Sequence, residues 1–312
     1  MTRRGLVLFI ALGVVWGVPY LFIKIAVGEL SPEFLALARC ALAAALLLPI
    51  ALHRNAVRSV LVRWRPLLIF AVIEIVLPWY FLGAAEVRLP SSTTGLLLSS
   101  IPIVAVGIAF LMGRRDRLTG RNWVGIALGT AGVAAIVGFE IDASDSGSVA
   151  MLIVVVVGYA LGPAILSRYM HDLPGVGVMA LALTASALIY VPVVAVTGGW
   201  PTEVPSAPVI SAVLVLAVLC SAVAFLLMFA LIAEIGPIRM TAITYVNPAV
   251  AVIAGALVLS EPITIFTVVG FALILLGCAL VTQPDRRPPT IAADAVPVPA
   301  IADEVAPPPP PR

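Results

Sequence analysis

The chain has 312 residues, of which 62% are hydrophobic and only 11% are charged, and its formal net charge is +2. Its mean hydropathy is +1.16. Such a composition argues against a soluble domain. The apolar residues fall into ten runs of roughly 20 residues, the length that a helix needs to cross about 30 Å of hydrocarbon. Backbone amides in lipid must be satisfied within the segment, so each run is predicted to be a helix.

In chain order, the predicted spans are 5–27, 33–52, 66–85, 91–112, 121–139, 149–167, 176–197, 208–232, 240–259 and 263–282. The first span follows Arg3 and Arg4, but its apolar run is long and lacks a small-residue cleavage pattern, so we interpret it as a retained helix. The proline- and alanine-rich tail at 284–312 is predicted to be disordered.

The basic residues predict the orientation of the spans, because short cytoplasmic loops accumulate lysine and arginine. If the N terminus is inside, 15 of the 18 basic residues lie on the inner side. Only Arg88 lies outside, and Lys24 and Arg39 fall within spans. We therefore expect a multi-pass protein of the inner (plasma) membrane with both termini in the cytoplasm. The arginines of the inner loops would face anionic lipid, and no nucleic-acid partner is expected.

An internal repeat divides the chain into residues 1–140 and 149–283. At an offset of 143, Trp16 matches Tyr159 and Pro49 matches Pro192, and at a nearby offset Glu86 matches Glu234. Five helices per half is an odd number, so the second half must enter the membrane from the opposite side. The sequence thus predicts an all-α membrane protein of ten transmembrane helices in two inverted five-helix repeats. The repeat is clearest in two motifs: Asp116-Arg117-Leu118-Thr119 with Gly125 and Gly132, and Glu261-Pro262-Ile263-Thr264 with Gly270 and Gly277.

Together with Trp16-Gly17, Lys24, Leu30-Ser31-Pro32 and Arg39, these motifs make residues 5–282 resemble the EamA-type members of the drug/metabolite transporter superfamily. The first copy departs from the family pattern, with Asp116 where glutamate is usual. The resemblance implies a secondary carrier of metabolites that often exports amino acids or related small molecules.

Glu74 is predicted to lie near the bilayer midplane, where an ionised carboxylate is costly. One interpretation is a site for proton coupling or for a substrate ammonium group. The other is a structural carboxylate that pairs with Arg39 or forms a hydrogen bond between helices.

Arg39 could extend to the outer interface, bind a substrate carboxylate or pair with Glu74. Lys24 is expected to extend to the interface, because it lies near the end of its helix. Prolines inside spans free carbonyl groups and kink helices, which is expected at Pro19, Pro78, Pro102, Pro163 and Pro248.

Several polar and aromatic residues cluster near these kinks. We predict that some of them line a substrate cavity, with interhelical packing as the alternative. The candidate substrate-binding residues are Trp16, Arg39, Glu74, Tyr80, Tyr159, Tyr245 and Asn247. Ser91–Thr94 are expected to cap the fourth helix, and Glu261 is interpreted as a capping and scaffold residue. The glycine pairs are expected to let helices approach closely.

The sequence has no phosphate-binding loop and no motif of an intramembrane hydrolase. No enzyme activity, catalytic residue, metal site or cofactor is therefore predicted. The leading hypothesis is a secondary exporter of small metabolites such as amino acids, with proton coupling resting on Glu74 alone. The alternatives are a multidrug exporter, an uncoupled facilitator, and a membrane interaction or lipid-modifying protein without transport. The sequence leaves monomer and homodimer open.

Overall fold

The computed structural model of the chain describes residues 2–111, 120–140, 142–235, 240, 243 and 246–282. All regular secondary structure in these ranges is helical. Eight helical segments are long and apolar enough to cross a membrane, and two shorter apolar helices follow. The disorder predicted for 284–312 and the first repeat motif at 116–119 lie outside the described residues.

The spans are numbered α1 to α10 in chain order, and their described parts agree with the predicted spans to within a few residues, except that α9 begins at Asn247 and not at 240. They are α1 (Arg3–Gly17 and Pro19–Ala26), α2 (Pro32–His53), α3 (Trp64–Phe70, Ala71–Val76 and Leu77–Glu86), α4 (Ser91–Leu98 and Ile101–Leu111), α5 (Gly120–Glu140), α6 (Ser146–Tyr169), α7 (Gly175–Thr197), α8 (Ala207–Leu214, Val215–Val223 and Ala224–Ile235), α9 (Asn247–Leu259) and α10 (Ile265–Thr282). A short helix, Val57–Leu61, connects α2 to α3.

The prolines act differently from one span to the next. Pro19 restarts α1 after Val18, and Pro102 follows the break in α4 at Ser99 and Ser100. Pro163 lies inside α6, which is one uninterrupted helix. Pro248 lies in the first turn of the described part of α9, so the expectation that it kinks the interior of a span is wrong. A proline in the first turn costs no hydrogen bond, because that amide has no partner within the helix.

Corresponding helices of the two halves pack against each other. The helix pairs are α2 with α7, α4 with α9 and α5 with α10, while α1 packs on α8 and α3 packs on α6. A twofold operation that exchanges the halves leaves this set of pairs unchanged, since it turns the α1–α8 pair into the α6–α3 pair. The architecture is therefore two inverted five-helix repeats, each of whose helices packs against a helix of the other repeat.

The repeated glycines lie where α5 crosses α10. A Cβ atom on Gly125 would lie 2.8 Å from the carbonyl oxygen of Gly277, and one on Gly132 would lie 2.7 Å from that of Gly270. These distances leave no room for a side chain, so the two backbones are in direct contact. The prediction that the glycines let helices approach closely is confirmed.

Polar contacts tie the halves together at both ends of the bundle. At one end, called the Glu261 end, the Ser31 hydroxyl donates to the Gly199 carbonyl over 2.9 Å and the Ser206 amide donates to Glu29 over 2.7 Å. The hydrogen bonds from Ser206 hold the pKa of Glu29 below its usual range.

At the other end, called the Arg63 end, Arg63 forms a bidentate ion pair with Asp172 over 2.6 and 2.7 Å. The hydrogen bonds from Arg63 lower the pKa of Asp172. Each end therefore carries its own connection between the halves.

Glu261 supplies a further connection at its end. Its carboxylate accepts hydrogen bonds from the backbone amides of Ser91 (2.7 Å) and Ser92 (2.9 Å), the first residues of α4. The residue before them, Pro90, makes no side-chain cap. The expectation that Ser91–Thr94 cap α4 themselves is therefore wrong, whereas the capping role predicted for Glu261 is confirmed. A carboxylate at a helix N terminus satisfies free amides and complements the helix dipole.

Candidate functional site

Glu74 lies in a widened part of α3. Residues Ala71–Val76 form a π-helix, in which the amide of Leu77 bonds to the carbonyl of Val72. Pro78 has no amide hydrogen, so the carbonyl of Glu74 lacks its usual partner four residues on, and the helix widens in front of the proline. The second half has a π-helix at the corresponding place in α8, Val215–Val223. Such segments concentrate at functional sites.

The Glu74 carboxylate packs into a groove on α6. Its Oε2 atom is buried and has no hydrogen-bond partner. A Cβ on Gly162 would overlap this carboxylate, and a Cβ on Gly158 would lie 2.8 Å from Pro78. The glycine pair of α6 therefore makes room for Glu74, a role that the spacing of the glycines alone did not reveal.

Arg39 is buried in the bundle. Its side chain is 7% exposed, its Nε–H donates to the Ser221 hydroxyl over 2.9 Å, and its guanidinium carbon lies 3.7 Å from the centre of the Trp79 ring. The Ser221 hydroxyl in turn donates to the carbonyl of Leu216, inside the second π-helix. The interpretation that Arg39 extends to the membrane interface is therefore wrong. Aromatic contact and a hydroxyl stabilise its charge within the protein.

Glu74 and Arg39 share an electrostatic neighbour, Tyr159 of α6. Tyr159 lies within electrostatic range of both residues and packs against both apolar clusters of the described bundle. Glu74 and Arg39 form no direct ion pair; the ion pairs among the described residues are Arg63–Asp172 and Arg88–Asp145. The structural alternative for Glu74, pairing with Arg39, is therefore wrong. The site thus holds a carboxyl group, that of Glu74, and a guanidinium group, that of Arg39, which do not form an ion pair with each other.

The guanidinium of Arg39 keeps donors free for a ligand. Only its Nε–H is engaged among the described hydrogen bonds, so the two terminal nitrogens have no acceptor in the described chain. Two such nitrogens form a fork that matches the two oxygens of a carboxylate. The arrangement can therefore bind an anion without first breaking an ion pair.

The other predicted residues take different places. Trp16 makes an edge contact with Phe225 at 6.4 Å, and Tyr80 makes one with Phe81 at 5.2 Å. In the orientation that satisfies its amide, Asn247 donates to the carbonyls of Gly13 (3.0 Å) and Ile243 (3.2 Å). Asn247 therefore has the packing role that was the alternative to a cavity-lining role. Tyr245 lies outside the described residues.

Sequence reasoning missed Ser221, and it placed Trp79 among the aromatic residues near the kinks without selecting it for the site. Ser221 precedes Ala222, the residue that corresponds to Glu74 in the second half, and it carries a hydroxyl group in an otherwise apolar segment. A hydroxyl group next to the counterpart of Glu74 was the sequence signal that could have identified Ser221. Trp79 precedes the selected Tyr80, and only the helical phase distinguishes them: Trp79 is buried and Tyr80 is partly exposed.

Lys24 also has a different place from the one expected. Its ammonium group donates to the backbone carbonyls of Glu86 (2.7 Å) and Leu89 (2.9 Å). It therefore terminates α3 by satisfying carbonyls that have no partner within the helix, and the expectation that it extends to the membrane interface is wrong.

An apolar cavity of about 220 Å³ lies between α4, α5 and α6, away from this group. Ser100 and Thr130 are its polar lining residues, and the Ser100 hydroxyl is already bonded to the carbonyl of Leu97. The described residues contain no group of three or more side chains suited to hold a metal ion. The charged group around Tyr159 is therefore the candidate site.

Comparisons with known proteins agree with this architecture. The model of the EamA-like transporter family matches residues 3–138 and 146–283. The chain is 30% identical over 279 residues to the uncharacterized inner membrane transporter YedA of Escherichia coli (strain K12), covering 87% of this chain and 88% of the relative. It is 26% identical over 293 residues to the uncharacterized transporter YvbV of Bacillus subtilis (strain 168), covering 91% and 93%. A solved crystal structure that is 18% identical has the same fold, with a TM-score of 0.65 over 90% of this chain and 97% of that chain.

Proposed function

Because the chain belongs to the EamA-like transporter family, we propose that it exports small zwitterionic metabolites, amino acids first, by alternating access coupled to protons. The observation that carries this proposal is the placement of Glu74 and Arg39 around Tyr159 without a mutual ion pair. An α-amino acid has an ammonium group and a carboxylate, and the site has one group to receive each.

Each end of the substrate has a matching partner. The free guanidinium fork of Arg39 suits the carboxylate, and the carboxylate of Glu74, a side chain that is only partly buried, suits the ammonium group. Both side chains belong to or contact π-helical segments, which lie at related positions in the two halves. A rocking motion of one half against the other would therefore act on both partners together.

The same carboxylate can couple transport to protons. A carboxylate with one oxygen enclosed and without a hydrogen bond, as in Glu74, is costly when it is ionised and no cation is bound. Glu74 would therefore hold a proton when the site is empty and release it when an ammonium group takes its place. Proton and substrate then compete for one group, which is a basis for exchange of one against the other.

The direction of transport follows from the orientation that the basic residues predict. With the termini in the cytoplasm, the Arg63 end is the inner one and the Glu261 end the outer one. An inward proton gradient would protonate Glu74 from the outside and release substrate there.

The test is uptake of labelled amino acids into proteoliposomes, with and without a pH gradient, for the wild type, Glu74→Gln and Arg39→Gln. We expect gradient-driven transport to be abolished by Glu74→Gln, and Arg39→Gln to weaken binding of substrates that carry a carboxylate by tenfold or more, since a bond to a charged group contributes about 1.5–3 kcal/mol. Amines without a carboxylate should be unaffected by Arg39→Gln.

The matched control is Glu203→Gln, which removes a carboxylate from the exposed loop between α7 and α8. Unchanged coupling in Glu74→Gln would refute the proton role and favour an uncoupled facilitator. Transport of broad apolar cations with no effect of Arg39→Gln would favour a multidrug exporter.

A further inference from the structure

A second carboxylate is buried without a partner, at the Glu261 end of α3. Glu86 is 0% exposed, and both of its carboxylate oxygens are inaccessible and without a hydrogen bond. It lies about 18 Å along the helix from Glu74, at 1.5 Å per residue, and the residue of the candidate site that lies within electrostatic range of it is Arg39.

The charged and titratable groups near Glu86 come from three elements. Tyr20 and Lys24 lie on α1, Arg39 on α2 and Glu261 on the connection between α9 and α10. The Lys24 ammonium is engaged by backbone carbonyls, and Arg39 by Ser221. Glu261 adds a like charge. No neighbour therefore supplies a hydrogen bond to an ionised Glu86.

The physical consequence is that Glu86 must be neutral in this conformation. An ionised carboxylate without hydrogen-bond donors is costly to bury, and the charges of Lys24 and Arg39, which are bonded to other acceptors, offset only part of this cost. A neutral carboxyl group has a much smaller penalty. Water that entered at the Glu261 end would reverse this preference by solvating the charge.

The repeat supplies a comparison within the same chain. Glu234 of α8 corresponds to Glu86 and lies at the Arg63 end, where it is only partly buried and accepts a hydrogen bond from the Thr2 hydroxyl over 2.5 Å. One glutamate of the pair is thus enclosed and the other accessible. In an inverted repeat, the opposite transport state exchanges the environments of the two halves.

We propose that Glu86 is a proton-binding site of the outer gate, loaded when the Glu261 end is closed and emptied when it opens, with Glu234 as its counterpart at the other end. The proton comes from, and returns to, the water outside the Glu261 end. Closure at that end requires protonation of Glu86, and opening permits its loss. The proposal rests on the alternating access and orientation given above, but not on the identity of the substrate or on Glu74.

The test measures opening directly. Leu89 is 2% exposed beside this site, so a Leu89→Cys thiol should react with an impermeant maleimide only when the Glu261 end opens. Rates are measured in proteoliposomes from pH 5 to 9 and divided by those of Val204→Cys, which is 88% exposed at the same end. The native cysteines are buried, and the chain without an introduced thiol supplies the blank.

We expect the normalised rate to rise with pH, by at most tenfold per pH unit for one proton. Glu86→Gln should hold the rate low and flat, because its neutral side chain mimics the loaded site. Glu234→Gln should have the opposite effect and raise the rate, since a neutral group there favours closure of the Arg63 end. Glu203→Gln should behave like the wild type.

The same pH rise in Glu86→Gln as in the wild type, or equal rates in both glutamine variants, would overturn the proposal. Should Glu86→Gln fail to fold, Glu234→Gln alone tests the proposal. A normalised labelling rate in Glu234→Gln no higher than that of the wild type would contradict the proposal. Transport is not the readout, so failure of the coupling proposed for Glu74 would leave this result intact.

Discussion

The cap that Glu261 places on α4 predicts a measurable loss of stability in Glu261→Ala. The substitution removes the acceptor of two backbone amides, those of Ser91 and Ser92. Their nitrogens would then have no partner, because neighbouring Pro90 makes no side-chain cap. A second consequence is steric: a Cβ on Gly255 would overlap the Glu261 carboxylate, so the substitution also leaves an empty space against α9.

The magnitude follows from the two hydrogen bonds. Bonds to a charged acceptor contribute about 1.5–3 kcal/mol each, but Glu261 is only partly buried, and screening by solvent reduces this contribution. We expect a loss of about 2–3 kcal/mol in the free energy of unfolding. At roughly 2–4 °C per kcal/mol for a large domain, the midpoint temperature of thermal unfolding should fall by roughly 4–12 °C.

Acid should have the same effect on the wild type. Burial by itself raises the pKa of Glu261, but the hydrogen bonds from Ser92 and Ser91 outweigh it, so its pKa in the folded protein is lowered. A lowered pKa contributes stability that is present above the pKa of the unfolded chain and is lost as pH falls through that of the folded protein. The wild type should therefore lose stability below about pH 4.5, and Glu261→Gln should lose less.

The assay is the fraction of protein that remains monodisperse in detergent after heating, measured by size-exclusion chromatography for the wild type, Glu261→Ala, Glu261→Gln and Glu203→Ala. The last variant removes an exposed carboxylate at the same end. If Glu261→Ala shifts the midpoint no more than Glu203→Ala does, the capping argument is refuted.

Two further predictions use the same assay. Gly132→Ala should lower the free energy of unfolding by about 1–3 kcal/mol, because its Cβ would lie 2.7 Å from the Gly270 carbonyl. The control is Gly138→Ala on the same helix, whose Cβ would meet nothing within 4 Å and which should be neutral or stabilising. Equal effects of the two substitutions would contradict the close contact of α5 with α10. Tyr190→Phe should lower the free energy of unfolding by about 1–3 kcal/mol, since the Tyr190 hydroxyl donates to the Val76 carbonyl over 2.5 Å at the end of the first π-helix. A midpoint of thermal unfolding within error of the wild type would show that this bond contributes nothing.

The candidate site was predictable only in part. Glu74 and Arg39 were recognisable as charges inside apolar spans, because lipid penalises them wherever they face. The division of roles among the aromatic residues was not predictable, since Trp79 and Tyr80 are adjacent in the sequence and only the rotation of α3 decides which of the two rings contacts Arg39. The hydroxyl partner of Arg39, Ser221, comes from the other half of the chain, and no local pattern links residues 182 positions apart.

The sequence by itself determined the ten apolar spans and the inverted repeat, because hydrophobic length acts through the membrane and needs no partner helix; the orientation that the charge asymmetry indicates stays a prediction. It also marked Glu261 as a capping residue. Only the tertiary structure decided what each polar group meets: that Glu261 caps a helix of the opposite half, that Lys24 closes the end of α3, and that the carboxylate of Glu86 has no hydrogen bond among the described residues. The reason is that hydrogen bonds between helices depend on rotation and register of a few ångströms, which interhelical packing decides and hydropathy does not record.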